Sequence, residues 1–184
     1  INRFFISKKL ASTYKPTFLK CLLDIGDDEQ DEGGVWIYEK VDNLEVDLNF
    51  IAVRFIRYYW QLHFKFKLKQ APTPKAVAIY RVLDKYSKLF GKSQPTKKEL
   101  CSEEFNELRE DVIREAMKPE VLQKFLNDCK IYTITNNNSI IISRSVVEFM
   151  KNNKKVLESA SNHIIAAYLE KFNLAPNIST KLQE

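Results

Sequence analysis

The chain has 184 residues, of which 45% are hydrophobic and 29% are charged, so it can bury one core but is too polar for a membrane-embedded protein. No stretch approaches the roughly 18 uninterrupted apolar residues of a membrane-spanning helix. With three scattered cysteines, two histidines and four glycines, it has no disulfide framework, metal-ligand motif or phosphate-binding loop. The N-terminal residues do not resemble a secretory signal, and we expect a cytoplasmic protein.

The net charge of +5 conceals a strong segregation of charge along the chain. Residues 24–47 carry ten acidic residues and one basic residue, whereas residues 54–98 carry twelve basic residues and one acidic residue. A basic block of this kind attracts phosphate groups. Charge runs are also common on ordinary solvated helix faces, so both interpretations stay open.

The first predicted elements are a helix and a short strand. KPTFLKCLLDIG has helical spacing, with Pro16 in the first turn and Gly26 at the end. The acidic loop DDEQDEGG follows, and VWIYEKV has the alternation of a short strand.

A second helix is predicted from Asp47, a suitable N-cap. Its apolar residues fall on one helical face, and Arg54 and Arg57 fall on a different one that continues to Lys65. Beyond His63 the period changes, because aromatic or aliphatic residues alternate with lysines at 65, 67 and 69. That alternation is typical of an extended segment with its lysines on one side.

After the APTP break, a helix rich in basic residues is predicted to extend this surface. Thr96 and Glu99 match a capping box, an acidic amphipathic helix follows, and Pro119 begins another helix. Residues 130–143 are predicted to form a hairpin that turns at three asparagines, followed by two helices or one bent helix.

These elements predict a mainly α fold, a multi-helix domain with a small β-hairpin. A winged-helix-like arrangement is one option for the N-terminal part, around residues 14–70. We divide the chain into a basic helical region, 1–95, and a helical region with the hairpin, 96–184, and expect both to pack as one compact unit.

We find no complete catalytic set and no metal site in the sequence. His163 is expected to be packed or half-buried on its helix, and His63 to lie at the surface. The acidic residues between 103 and 111 are expected to decorate the exposed side of one helix. We expect the cluster of Tyr58, Tyr59 and Trp60 to lie in the core rather than to stack on bases.

Short motifs along the chain resemble bacterial HNH endonuclease-like proteins of restriction or phage-defence type, in the region before their nuclease module. The matching residues are Tyr14, Lys15, Pro16, Tyr58, Tyr59, Trp60, Leu68, Gln70, Leu169, Glu170, Asn173, Ala175, Pro176 and Lys181. The resemblance implies an accessory domain that holds DNA or positions the nuclease. It places the catalytic His-Asn-His set and its divalent metal after this region, so it implies no catalytic residue or cofactor within these residues.

Our first hypothesis is therefore a nucleic-acid-binding accessory domain of an HNH-type endonuclease, with DNA favoured over RNA and contacts to phosphates rather than bases. The predicted contact residues are Arg54, Arg57, Lys65, Lys67, Lys69, Lys75, Arg81 and Lys85. The alternative is a helical protein–protein interaction module, with a protein partner or a second copy of the chain. In that alternative, the acidic segments 24–47 and 99–128 bind a basic partner or neutralise the basic block within the fold.

Overall fold

The computed structural model describes residues 12–26, 36–71, 77–89, 93–136 and 138–173, together with residues 178 and 182. The described part is mainly helical with a small antiparallel sheet, which confirms the predicted fold class. The elements are α1 (Tyr14–Leu23) with a 3-10 turn (Asp24–Gly26), β1 (Ile37–Glu39), β2 (Asn43–Asp47), α2 (Leu48–Trp60) continued by a π-helical turn (Gln61–Lys65), α3 (Ala78–Lys85), α4 (Lys97–Cys101), a 3-10 turn (Glu103–Phe105), α5 (Asn106–Ala116), α6 (Pro119–Cys129), β3 (Thr133–Ile134), β4 (Ser139–Ser143), α7 (Arg144–Asn152) and α8 (Lys154–Glu170).

Helix α2 is the central helix of the fold. Asp47 caps it, as predicted, and accepts a hydrogen bond from the backbone N–H of Asn49. Ten of its thirteen residues are buried, because α1, α3, α4 and α5 all pack against it. A helix surrounded in this way has almost no free face for charged residues.

The sheet joins the two halves of the chain. Its strand order is β1-β2-β4-β3, and β2 pairs with β4 so that Leu44 lies opposite Ile142 and Val46 opposite Ile140. All four of these side chains are buried, and the buried residues on both sides of position 95 form one cluster. Strands β1 and β2 are thus part of a shared sheet rather than a separate wing within residues 14–70.

Several local predictions are confirmed. Strands β3 and β4 form the expected hairpin, and Asn138 in its turn has a positive φ of 52°. Thr96 and Glu99 form the capping box at the start of α4, and α6 begins at Pro119. Residues 144–170 form two helices that meet at Asn153.

Candidate nucleic-acid interface

Arg54 lies inside the protein, not on a basic face. Only 2% of the residue is exposed, its guanidinium carbon lies 3.3 Å from the ring centre of Phe50, and Nη1 donates to the Phe50 carbonyl at 3.0 Å. Burial lowers the pKa of Arg54 to about 10, although the charge of Asp24 opposes that effect. The prediction that Arg54 reaches out to phosphates is wrong, because helices cover α2 on nearly every side.

Asp24 neutralises the charge of Arg54. Its Oδ2 lies 3.6 Å from Arg54 Nε and accepts a hydrogen bond from the Tyr58 hydroxyl at 3.1 Å, while its Oδ1 lies 3.3 Å from Lys154 Nζ. Burial raises the pKa of Tyr58 far above its ordinary value, so this phenol stays a donor at neutral pH. One residue of the acidic segment 24–47 is therefore paired with one residue of the basic block.

Next to this cluster lies a partly enclosed pocket of about 120 Å³, which we call the arginine pocket. The residues that line it are Asp24, Arg54, Arg57, Tyr58, Gln61, Gln94 and Lys97. Gln94 holds one wall in place, because its Nε2 donates to the Arg57 carbonyl at 3.1 Å and its Oε1 accepts from Gln61 Nε2 at 3.3 Å. Three cationic side chains and one carboxylate thus meet at the C-terminal end of α2.

The π-helical turn separates Lys65 from the pocket. The backbone N–H of Phe66 donates to the Gln61 carbonyl, five residues earlier, at 2.9 Å. The wider turn rotates the following side chains away from the face they would occupy in an α-helix. Arg54, Arg57 and Gln61 therefore share the pocket, whereas Lys65 does not line it and is exposed.

Residues 65–69, which we call the lysine segment, expose all three of their lysines. Leu68 between them is buried and Phe66 is half-buried, so the predicted alternation of outward and inward side chains is confirmed. The predicted strand-like backbone is wrong. Lys67 has a φ of 52°, and the N–H of Leu68 donates to the Leu62 carbonyl at 2.8 Å instead of to a neighbouring strand.

On α3, Arg81 and Lys85 are exposed, but Lys85 already has an acidic partner. Its Nζ lies 2.7 Å from Oδ2 of Asp111 on α5, and this carboxylate also accepts from Tyr86 and Arg114. Asp111 is only 7% exposed, so the prediction that it decorates a solvated helix side is wrong. Lys85 is therefore a weaker candidate for a phosphate contact. Lys75 lies outside the described residues.

Helix α3 is attached to the lysine segment through Tyr80. Its hydroxyl donates to the Leu68 carbonyl at 2.8 Å and accepts from Gln70 Nε2 at 3.1 Å. His63 stacks on the Tyr80 ring and lies 2.7 Å from the carboxylate of Asp84. The single acidic residue of the basic block is thus bound to a histidine.

The predictions for the aromatic cluster and for His163 have different outcomes. Tyr59 and Trp60 are buried, which confirms a core position, whereas Tyr58 is half-buried between Asp24 and Lys20. His163 is exposed, so its predicted packed position is wrong.

Sequence reasoning missed three residues that shape this region, namely Asp24, Gln94 and Asp111. Apart from Lys154, which is 130 residues from Asp24, and Arg114, which is three residues from Asp111, their partners lie between 25 and 37 residues away in the chain. No helical or strand spacing marks such pairs. The only available signal was the general complementarity between acidic and basic segments.

The family model described as "Domain of unknown function (DUF8808)" matches residues 1–137. The chain belongs to this family. The match includes the lysine segment and every residue of the arginine pocket, whereas β4, α7 and α8 follow it. No curated protein and no solved structure matches the chain.

The described residues show neither a metal-ligand cluster nor a membrane-spanning helix. Within the described ranges, no group of three or more histidine, cysteine, aspartate or glutamate side chains is arranged to hold a metal ion. In the same part of the chain, no helix has both the length and the apolar character needed to cross a membrane.

Proposed function

We propose that this domain binds nucleic acid, with DNA favoured, by contacting phosphates through the exposed lysines of the lysine segment. The observation that carries the proposal is the shared exposure of Lys65, Lys67 and Lys69 on a segment whose backbone is fixed at both ends. Lysine contacts of this kind position a nucleic acid without reading its sequence.

The anchoring of the segment supports this role. Its backbone forms hydrogen bonds of 2.7–2.9 Å with Leu62, Asn173 and Tyr80. A segment that is already ordered loses little further conformational entropy when a ligand binds. The three lysines therefore offer a preformed row of positive charge.

The charge environment also favours anions. Lys67 and Lys69 have no ion pair among the residues that the structure describes, and Asp84 is bound to His63. Arg81 is exposed on α3, the helix tied to the segment through Tyr80. We include Arg81 in the proposed surface, and Lys75 remains part of the proposal.

We further propose that the domain acts beside a nuclease module of HNH type. Only the sequence resemblance supports this narrower proposal. In such a protein the metal-activated water would belong to the nuclease module, and the present domain would hold the substrate.

The protein-interaction alternative also has support from specific contacts. Asp24 neutralises Arg54, and Asp111 neutralises Lys85, so two of the eight predicted phosphate contacts serve the fold. A domain in which such neutralisation extended to the lysine segment would have no reason to bind nucleic acid.

A charge-reversal experiment distinguishes nucleic-acid binding from the protein-interaction alternative. The variant Lys65→Glu/Lys67→Glu/Lys69→Glu is compared with Lys118→Glu/Lys124→Glu/Lys155→Glu, which makes the same change in net charge at other exposed lysines. Fluorescence anisotropy with labelled single-stranded DNA, duplex DNA and RNA measures the affinity of each. We expect the first variant to bind about tenfold or more weakly than the second at low salt. Equal affinities, or no binding by the unmodified chain, would reject the proposal.

A further inference from the structure

The arginine pocket has the chemistry of a site for one phosphate group. We infer that it binds a phosphate group that carries at most one ester linkage, either inorganic phosphate or the terminal phosphate of a larger molecule. Guanidinium groups are the preferred partners of phosphate oxygens, because their planar donors match two oxygens at once.

The charges around the pocket favour an anion. Arg54, Arg57 and Lys97 contribute three positive charges to the lining, and Asp24 contributes one negative charge. Both oxygens of Asp24 are engaged, one by the Tyr58 hydroxyl and the other by Lys154, which does not line the pocket. Asp24 supplies one negative charge against three positive charges in the lining, so the lining is net positive even though Asp24 also pairs with Arg54.

Arg57 provides a second, independent observation. Its Nε is buried and has no hydrogen-bond partner among the described residues, although its backbone carbonyl is bound by Gln94. Buried polar atoms nearly always have a partner, in the protein or in a bound water or ion. An oxyanion in the adjoining pocket would supply the acceptor that this N–H lacks.

The size of the pocket restricts what can enter. Its volume of about 120 Å³ has room for a compact group with four oxygens. An internal phosphate of a nucleic acid has a nucleoside on both sides, so a partly enclosed pocket favours a terminal phosphate, which can enter more deeply.

The walls are held in place before any ligand arrives. Gln94 ties the loop before α4 to the end of α2, and the Tyr58 hydroxyl is fixed on Asp24. The capping box of Thr96 and Glu99 orients the first turn of α4, in which Lys97 lies. Such preorganisation reduces the cost of binding.

This inference deepens the proposed function only in one respect. A nucleic-acid end as the source of the phosphate rests on the proposed function, whereas the binding of phosphate by the pocket does not. Different experiments therefore test phosphate binding by the pocket and nucleic-acid binding by the lysine segment.

Isothermal titration calorimetry of the chain with inorganic phosphate tests the pocket. We expect one phosphate per chain, at least about tenfold weaker binding in Arg57→Gln, and weaker binding in Lys97→Ala. Lys98→Ala is the matched control, because Lys98 is exposed on the same helix and does not line the pocket. Circular dichroism is used to check that each variant is folded. If Arg57→Gln does not fold, the comparison is made with Lys97→Ala instead.

Oligonucleotides with a 5′-phosphate or a 5′-hydroxyl then identify the source. A preference for the 5′-phosphate that is lost in Arg57→Gln supports the pocket and assigns it a nucleic-acid end. Phosphate binding without that preference supports the pocket and assigns it free phosphate or a small phosphate ester. If neither phosphate binding nor a 5′-phosphate preference is found, the inference is overturned, even if the lysine segment binds both oligonucleotides.

Discussion

The side-chain amide of Asn173 brackets the backbone of Lys69. Its Oδ1 accepts from the Lys69 N–H at 2.7 Å, and its Nδ2 donates to the Lys69 carbonyl at 2.9 Å. The same Nδ2 donates to the Leu169 carbonyl at 2.7 Å near the end of α8. One amide therefore satisfies the end of a helix and anchors the lysine segment, 104 residues away in the chain.

Replacing Asn173 by alanine should release the C-terminal end of the lysine segment. Three hydrogen bonds are lost, and we expect the free energy of unfolding in urea to fall by about 2 kcal/mol. Hydrogen exchange at the Lys69 amide should become faster. Asn152→Ala is the control, since Asn152 is exposed at the end of α7, and it should change neither quantity. Unchanged exchange at Lys69 in the Asn173 variant would contradict the anchoring role.

Reversing the charge of Arg54 should unfold the protein rather than test nucleic-acid binding. Arg54→Glu places a buried carboxylate beside Asp24, and we expect it to destabilise the fold by about 4 kcal/mol. Lys67→Glu, at an exposed position, should cost less than about 0.5 kcal/mol. Urea unfolding followed by circular dichroism measures both. Similar stabilities for the two variants would show that Arg54 is accessible to solvent in solution.

The carboxylate of Asp111 should make stability depend on pH in the acid range. Burial raises the pKa of Asp111, but hydrogen bonds from Lys85, Tyr86 and Arg114 outweigh burial and hold it below its ordinary value. A lowered folded-state pKa stabilises the protein above the unfolded-state pKa of about 3.9, and the contribution is lost as pH falls through the folded-state value.

Asp111→Asn should therefore cost about 2 kcal/mol at pH 7 and clearly less at pH 3. Urea unfolding at pH 7, 5, 4 and 3 gives the difference from the unmodified chain at each pH. Glu107→Gln, at an exposed position on the same helix, is the control and should cost little at any of these values. A cost that stays constant from pH 7 to pH 3 would rule out an ionised, hydrogen-bonded Asp111.

Salt dependence should count the phosphates that the lysine segment contacts. The logarithm of the binding constant falls with the logarithm of salt by about 0.7 per contact on single strands and about 0.9 on duplex DNA. Replacing Lys65, Lys67 and Lys69 by glutamine should therefore reduce the slope by about 2 to 3 units. The same replacement at Lys118, Lys124 and Lys155 should leave the slope nearly unchanged. Equal slopes for both variants would place the contacts elsewhere.

Features that depend on neighbours in the chain were predictable. The capping box joins Thr96 to Glu99, three residues away, and the Asp47 cap joins residues two apart. The hairpin could be read from two β-rich runs and asparagines that tolerate a positive φ. The exposure of alternate lysines between 65 and 69 followed from the alternation of residue types. All of these rest on local hydrogen bonds or on simple hydrophobic alternation.

Features that depend on distant partners could not be predicted. Arg54 shares a helical spacing with Arg57, but it is buried because helices from other parts of the chain surround α2. The π-helical turn breaks the face that would have included Lys65. Strand β2 pairs with β4 across about half the chain, a pairing that neither strand specifies alone.

Reading the amino-acid sequence is enough to infer the helical class, the caps, the hairpin and the separation of charge into acidic and basic segments, because those properties belong to short stretches of the chain. Which charges meet depends on how distant segments pack. The tertiary structure pairs Asp24 with Arg54 and Asp111 with Lys85, and it leaves Lys67 and Lys69 exposed. An ion pair requires two side chains to be close in space, and packing sets that distance.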